Sequence, residues 1–251
     1  MPEPGGLILL RHGESVLNAE DRFTGLLDVP LTARGEAGAA TAAAVIADAG
    51  FRPDVAYVSI LRRATRTSDI VLERLDAPPP RRVVTWRPME RNYGALTGMR
   101  RADVDAEYGH GSFLAWRRGR TDAPPPMTAA ELRRLRAQSA LAGVPPRALR
   151  PTEALTDVIR RVAVLWHNEI AEELRAGRNV LVIAHGNSLR ALCTILDGLD
   201  DTDLADLNIP TGQPLLYTFD MRLETRPRRG HYLDPRAAEH AVDILSRSGG
   251  T

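Results

Sequence analysis

Four consecutive apolar residues, Leu7-Ile8-Leu9-Leu10, give way at once to Arg11-His12-Gly13-Glu14-Ser15. An unbroken apolar run of this length fits a strand buried on both faces. The residues after it are too polar for a core, so the strand ends there and delivers a guanidinium, an imidazole and a flexible backbone to one point. In open α/β sheets ligands bind outside the carboxyl ends of strands. A second stretch repeats the pattern: Val180-Leu181-Val182-Ile183-Ala184 is followed by His185-Gly186-Asn187-Ser188. If these two strands are neighbours, His12 and His185 face each other across one crevice.

The rest of the chain supports a sheet of this kind. Val55–Val58, Val83–Trp86 and Leu215–Phe219 read as further strands. Thr32 caps a helix reaching Gly50, Arg62–Leu75 is helical up to the proline-rich 76–80, and Thr152 caps a long helix from Glu153 to about Ala176. In that helix Leu155, Val158, Ile159, Val162, Trp166, Ile170 and Leu174 fall at helical spacing and face the core. A helix from Ser188 to Leu196 follows the second His-Gly. The expected fold is α/β, a mostly parallel central sheet with helices on both faces. Residues 87–150, rich in proline, glycine and arginine, form a lid-like helical and loop excursion over the carboxyl edge. Residues 234–251 are a C-terminal tail of one helix and a fraying end, and the whole of 1–251 is read as one domain.

Composition narrows the function. The formal net charge is +1, which argues against a nucleic-acid or polybasic membrane binder. No apolar run approaches a membrane span and no signal-peptide pattern opens the chain, so a cytoplasmic protein is expected. The lone Cys193 sits in an apolar helical setting that suggests packing. All 33 basic residues are arginine. GC-rich coding is the simple explanation, but any oxyanion site must then be built from guanidinium forks.

Zinc is one use for two facing histidines, yet Arg11 would repel a metal ion and no further ligand pattern is present, so no metal is expected. An anion suits the site better. An imidazole held against a phosphate can act as nucleophile and form a phosphohistidine, with a second histidine and arginines stabilising the transferring group. Arg62 and Arg63 follow the second strand and reach the same edge. Glu90 follows the third strand; it is either a general acid/base or a surface partner of Arg87 or Arg91. Trp116-Arg117-Arg118 is either a solvated basic face or a clamp on a second anionic group.

Leu10 to Ser15 resembles the phosphohistidine signature of the histidine phosphatase superfamily. Phe23-Thr24-Gly25, Glu90 to Leu96, Trp116 to Arg118, Ala184 to Arg190 and Leu207 to Gly212 are similar to motifs of its 2,3-bisphosphoglycerate-dependent phosphoglycerate mutases. The resemblance covers nearly the whole chain. It implies phosphorylation of His12, with Arg11, Arg63 and His185 around the phosphoryl group and Glu90 as acid/base. It also implies a substrate-binding set of Ser15, Asn18, Thr24, Gly25, Tyr93, Arg101, Arg117, Arg118, Gly186 and Asn187. Arg101 stands where the family usually has lysine.

The implied activity interconverts 3-phosphoglycerate and 2-phosphoglycerate, primed by 2,3-bisphosphoglycerate and without a metal, in glycolysis and gluconeogenesis. The implied partner is a small phosphorylated substrate, and a homo-oligomer is compatible. Leu17, Leu26 and Asn92 replace the family's usual Trp, Trp and His. An Arg/Ala/Leu helix between Pro126 and Pro151 replaces a tyrosine-bearing stretch, which bears on lid closure and oligomer contacts. Two other functions compete: a phosphatase on the same scaffold, and a non-catalytic binder of phosphorylated ligands.

Overall fold

The computed structural model describes residues 3–75 and 81–247. Six strands form one sheet: β1 (Leu7–Arg11), β2 (Val55–Ser59), β3 (Arg81–Thr85), β4 (Val180–Ala184), β5 (Leu215–Tyr217) and β6 (His231–Tyr232), in the order β3-β2-β4-β1-β5-β6. β3, β2, β4 and β1 are parallel; β5 runs antiparallel to β1, and β6 antiparallel to β5. The sheet is therefore mixed but mostly parallel, as the sequence pattern implies.

The helices are α1 (Val16–Ala19), α2 (Ala33–Asp48), α3 (Arg62–Arg74), α4 (Arg101–Tyr108), α5 (His110–Arg118), α6 (Ala129–Arg136), α7 (Leu155–Leu165), α8 (Ala171–Arg175), α9 (Gly186–Asp197), α10 (Asp201–Asp206) and α11 (Pro235–Arg247). Every residue of β1, β2 and β4 is buried. The reason is the period of two: successive side chains leave opposite faces of a strand. Leu7, Leu9, Val55, Tyr57, Val180 and Val182 pack with Leu155, Val158 and Val162 of α7 and Leu189 and Leu192 of α9. Ile8, Leu10, Ala56, Val58, Leu181 and Ile183 pack with Ala39, Ala42, Ala43 and Ile46 of α2 and Ala64, Ile70 and Val71 of α3. Both faces are thus covered, which is what the unbroken apolar runs require.

Several elements differ from the sequence expectation. β3 starts at Arg81, ends before Trp86 and lies at the sheet edge with Val84 half exposed. The strand expected over Leu215–Phe219 stops at Tyr217, an unanticipated short strand, β6, pairs with it, and α9 begins at Gly186. Thr32 does cap α2, its hydroxyl accepting from the Gly35 amide. Thr152 does not cap the long helix; its hydroxyl donates to the Pro124 carbonyl (2.8 Å). The helix starts at Leu155, with the Asp157 carboxylate accepting from the Ala154 amide (3.1 Å). Glu153 is drawn inward instead of entering the helix. A π-turn over Trp166–Ile170 separates α7 from α8. The proline-rich 76–80 and the expected fraying end at 248–251 lie outside the described residues.

The excursion is seated by two small apolar clusters. Phe23, Tyr93, Leu96, Val104 and Phe113 form one. Leu26, Leu61 and Met89 form the other with Leu135, Leu141, Val144 and Leu149. The divergent 127–150 segment therefore supplies the apolar packing beneath the loops that follow β2 and β3. Among the described residues, no helix is long and apolar enough to cross a membrane.

Candidate active site

β1 and β4 are hydrogen-bonded neighbours with Arg11 opposite Ala184, so the chain leaves both strands at the same level. The His12 amide donates to the Ala184 carbonyl (3.0 Å), and the His12 and His185 rings stand edge to face, 4.9 Å between centroids. The next residue must be glycine for a steric reason. A Cβ on Gly13 would lie 2.2 Å from the Gly35 carbonyl oxygen, so only a bare backbone passes the start of α2.

The hydrogen bonds of His12 decide which nitrogen is reactive. Nδ1 lies 2.6 Å from the Gly13 carbonyl oxygen, which can only accept, so Nδ1 carries the proton. Nε2 then holds the lone pair, and the Arg63 Nε donates to it (3.2 Å). Burial, then the charges of Arg63 and Arg11, hold the His12 imidazole well below its ordinary value. It is therefore a neutral base at neutral pH.

Arg63 sits in the first turn of α3 and also donates to the carbonyls of Leu27 (2.8 Å) and Gly25 (2.9 Å), fixing the loop that carries Thr24. Arg11 donates to the Ile209 carbonyl (2.7 Å), while its buried Nε has no partner among the described residues. Among the described residues, neither arginine has a carboxylate partner. Burial pushes Arg63 down to about 10, which leaves it cationic at neutral pH.

His185 is fully buried. Its Nε2 is 2.7 Å from the Ser59 hydroxyl, and its Nδ1 has no partner among the described residues. Burial, then Arg63, His12 and Arg11, hold it well below its ordinary value too.

Glu90 makes no ion pair with Arg87 or Arg91. Its Oε1 accepts from the Arg91 amide (2.7 Å) and from the Asn187 side-chain amide (3.0 Å) and backbone amide (3.3 Å). The Asn187 side chain also donates to the Tyr93 hydroxyl (2.8 Å), so one amide at the start of α9 fixes both groups.

A cleft of about 410 Å³ opens here, lined by Arg11, His12, Asn18, Thr24, Gly25, Arg63, Glu90, Tyr93, Arg101, Arg117 and Asn187, and by Arg22 and Phe23. Arg22 and Arg101 are paired with Glu20 and Asp21. Arg117 lies over the rings of Phe113 and Phe23, 5.3 and 5.9 Å to their centroids. Burial, followed by the charge of Arg101, pushes it down to about 9. Five guanidiniums against the single lining carboxylate of Glu90 make this an anion site. Among the described residues, no group of three or more His, Cys, Asp or Glu side chains is placed to hold a metal ion.

Four anticipated residues stand outside the lining. His185 lies beneath it. Ser15 caps α1, its hydroxyl bonded to the Asn18 side chain (2.8 Å), and so sets Asn18 in place. Gly186 is the first residue of α9. Arg118 turns away and donates to the Ala205 carbonyl (2.6 Å) and the Asn208 side chain (3.2 Å). Cys193 is buried, and burial pushes its thiol up to about 12, in keeping with a packing role. Sequence reasoning passed over Arg22 on the wall and the buried Glu153 and Arg161 behind it, and gave no role to Phe23 and Arg190, which it met only as parts of motifs.

The profile of the histidine phosphatase superfamily (branch 1) matches residues 7–148. The chain belongs to this superfamily. It is 46% identical to a 2,3-bisphosphoglycerate-dependent phosphoglycerate mutase of Thermobifida fusca (strain YX), over 97% of this chain and 98% of that one. A protein of the same name from Streptomyces avermitilis is 44% identical, over 98% and 97%. A solved mycobacterial glucosyl-3-phosphoglycerate phosphatase in complex with VO3 superposes with a TM-score of 0.64 at 28% identity, over 85% of this chain and 92% of that one.

Proposed function

We propose that this protein interconverts 3-phosphoglycerate and 2-phosphoglycerate through a phosphohistidine at His12, primed by 2,3-bisphosphoglycerate. One observation carries the reading: His12 turns an unprotonated Nε2 toward a cleft holding two guanidiniums without carboxylate partners and a carboxylate fixed by Asn187. The near full-length likeness to curated mutases favours isomerisation over hydrolysis.

The residues fit a bisphosphorylated acid. Three buried polar atoms, Arg11 Nε, Thr24 Oγ1 and His185 Nδ1, have no partner among the described residues. Buried polar groups left in this state favour a ligand that satisfies them. Arg11, Arg63 and His185 would hold the transferring phosphoryl group, and Asn18, Thr24, Gly25, Tyr93, Arg101, Arg117 and Asn187 the remainder. When bound, 2,3-bisphosphoglycerate supplies the phosphoryl group that primes the enzyme.

His12 Nε2 attacks phosphorus; an N–P bond forms as the ester P–O bond breaks, and Glu90 protonates the departing oxygen. For return to the other hydroxyl, Glu90 takes that hydroxyl's proton as the N–P bond breaks. Arg11, Arg63 and the amino end of α9 stabilise the charge on the transferring group. Arg117 on α5, stacked over Phe113, lines the cleft with Phe23 and would keep water from the phosphohistidine. The whole chain works as a single unit in this scheme, as a cytoplasmic enzyme acting on a small phosphorylated substrate.

The test supplies 3-phosphoglycerate with and without 2,3-bisphosphoglycerate and follows 2-phosphoglycerate and free phosphate. Priming-dependent isomerisation with little phosphate release is expected. Rapid phosphate release without isomer would replace the mutase with a phosphatase. Tight binding without turnover would leave a binding protein.

A further inference from the structure

The loop from Trp86 to Tyr93 has no regular secondary structure, yet Met89, Glu90, Arg91 and Asn92 in it are buried. A buried loop must find partners for its backbone polar groups. Here one ion pair, between Glu153 ahead of α7 and Arg161 on it, provides several of them. Arg161 donates through Nη1 to the carbonyls of Arg87 (2.5 Å) and Met89 (2.7 Å), and through Nη2 to that of Glu90 (2.9 Å). Glu153 Oε2 accepts from the Asn92 amide (2.8 Å), and the Glu153 amide donates to the Asn92 carbonyl (3.0 Å). The two side chains grip each other at both carboxylate oxygens (3.0 and 3.2 Å) and are 7% and 3% exposed. Arg161 rides on a helix whose neighbouring Val158 and Val162 are locked in the core.

We infer that the Glu153–Arg161 pair is a positioning device for Glu90. It lies outside the cleft lining and sets where the Glu90 carboxylate stands by fixing the backbone on either side of it. The inference rests on the reading of Glu90 as the acid/base. A guanidinium is required because three carbonyls and a carboxylate converge on one planar fork; a single ammonium cannot meet all four. Small displacements of a catalytic group cost much in rate and little in binding, so the loss should fall on kcat.

The test is a double-mutant cycle on the intact protein. Arg161→Lys keeps the charge and breaks the fork. It should lower kcat by roughly 10–100-fold, leave the KM for 3-phosphoglycerate within about twofold, and shift the limb of the pH–rate profile that belongs to the acid/base. Adding Arg161→Lys to Glu90→Gln should cost little more, because the group it positions is already gone. Losses that multiply, or a KM that rises as much as kcat falls, would overturn the inference. Should Arg161→Lys not fold, as judged by circular dichroism, the same cycle is run with Glu153→Gln, which keeps an acceptor for Asn92 but leaves Arg161 without its counter-charge. Hydrolysis of p-nitrophenyl phosphate separates the two levels of reading. If the protein hydrolyses it but does not isomerise 3-phosphoglycerate, the mutase reading fails and the cycle on hydrolysis still judges the positioning role. If it turns over neither, both fall.

Discussion

Arg190 offers a demanding test because it does not itself line the cleft yet ties together much of what stands there. It lies on α9, fully buried, three residues after Asn187. Its guanidinium donates to the carbonyls of Arg117 (3.0 Å) and Arg118 (3.1 Å) at the end of α5, to the carbonyl of Leu204 (2.7 Å) and to the Asn187 side-chain oxygen (3.3 Å). The last bond keeps the Asn187 nitrogen turned toward Glu90 and Tyr93. Replacing Arg190 by methionine fills most of the volume and deletes all four bonds. The four acceptors left behind are neutral, and a buried acceptor left unpaired costs about 1–3 kcal/mol. Part of that is offset, because burial and then the charge of Arg91 disfavour the guanidinium there, so about 2–3 kcal/mol should remain. For a chain of this size the melting temperature should then fall by roughly 4–12 °C. The end of α5 carries Arg117, so the KM for 3-phosphoglycerate should also rise about tenfold, equivalent to one lost charge-assisted contact. Calorimetry and initial-rate kinetics on Arg190→Met check both numbers. A variant melting within about 1 °C of the parent, with an unchanged KM, would refute the argument that this guanidinium anchors the end of α5.

His12→Ala should abolish acid-labile phosphoprotein formation from labelled 2,3-bisphosphoglycerate while leaving the fold intact; labelling that persisted would place the nucleophile elsewhere. Stability should fall as pH drops below about 6.5, because unfolded imidazoles take up protons there while His12 and His185 stay neutral in the fold. The unfolded state then binds more protons, each histidine contributes a slope of up to about 1.4 kcal/mol per pH unit, and urea midpoints at pH 7.5 and 5.5 measure it; a midpoint that rose on acidification would contradict the buried-neutral assignment. Gly13→Ala should destabilise by about 1–3 kcal/mol as an overpacking change, since its Cβ meets the Gly35 backbone, and it should displace His12. A melting curve and a labelling assay on the one variant test both effects.

The parts of this molecule legible in the sequence are those where one local signal has one physical meaning. Leu7–Leu10 and Val180–Ala184 can only be strands covered on both faces, and the His-Gly pairs after them could meet only if those strands were neighbours, as they are. What escaped has local signals with two meanings. Glu153 reads as the first residue of a helix capped by Thr152, and only the tertiary position of Arg161 draws it inward. Arg117 and Arg118 look equivalent, but adjacent helical residues point about 100° apart. One side chain faces the cleft and the other reaches Ala205 and Asn208. Ser15 follows a ligand-binding sequence and turns out to cap α1, fixing Asn18 through its hydroxyl.

The absence of lysine gains a structural meaning that coding bias alone does not supply. Arg63, Arg161 and Arg190 each reach two or three backbone carbonyls of loops or helix ends around the cleft. Those loops are buried where they meet the site, so their carbonyls cannot turn to water, and a planar fork satisfies several at once. The consequence is a cluster of cations that the protein itself neutralises only in part. Of the three, Arg63 also lines the cleft, where it has no carboxylate partner among the described residues, whereas Arg161 is paired with Glu153 and Arg190 lies behind the wall. An anionic ligand completes the charge balance at Arg63, so a residue that holds the site in shape also helps to select its ligand. Replacing the three one at a time by lysine should therefore separate the two roles. Charge and affinity for an oxyanion would be largely kept, while the positions of Gly25, Leu27 and Glu90 would loosen and turnover would fall more than binding.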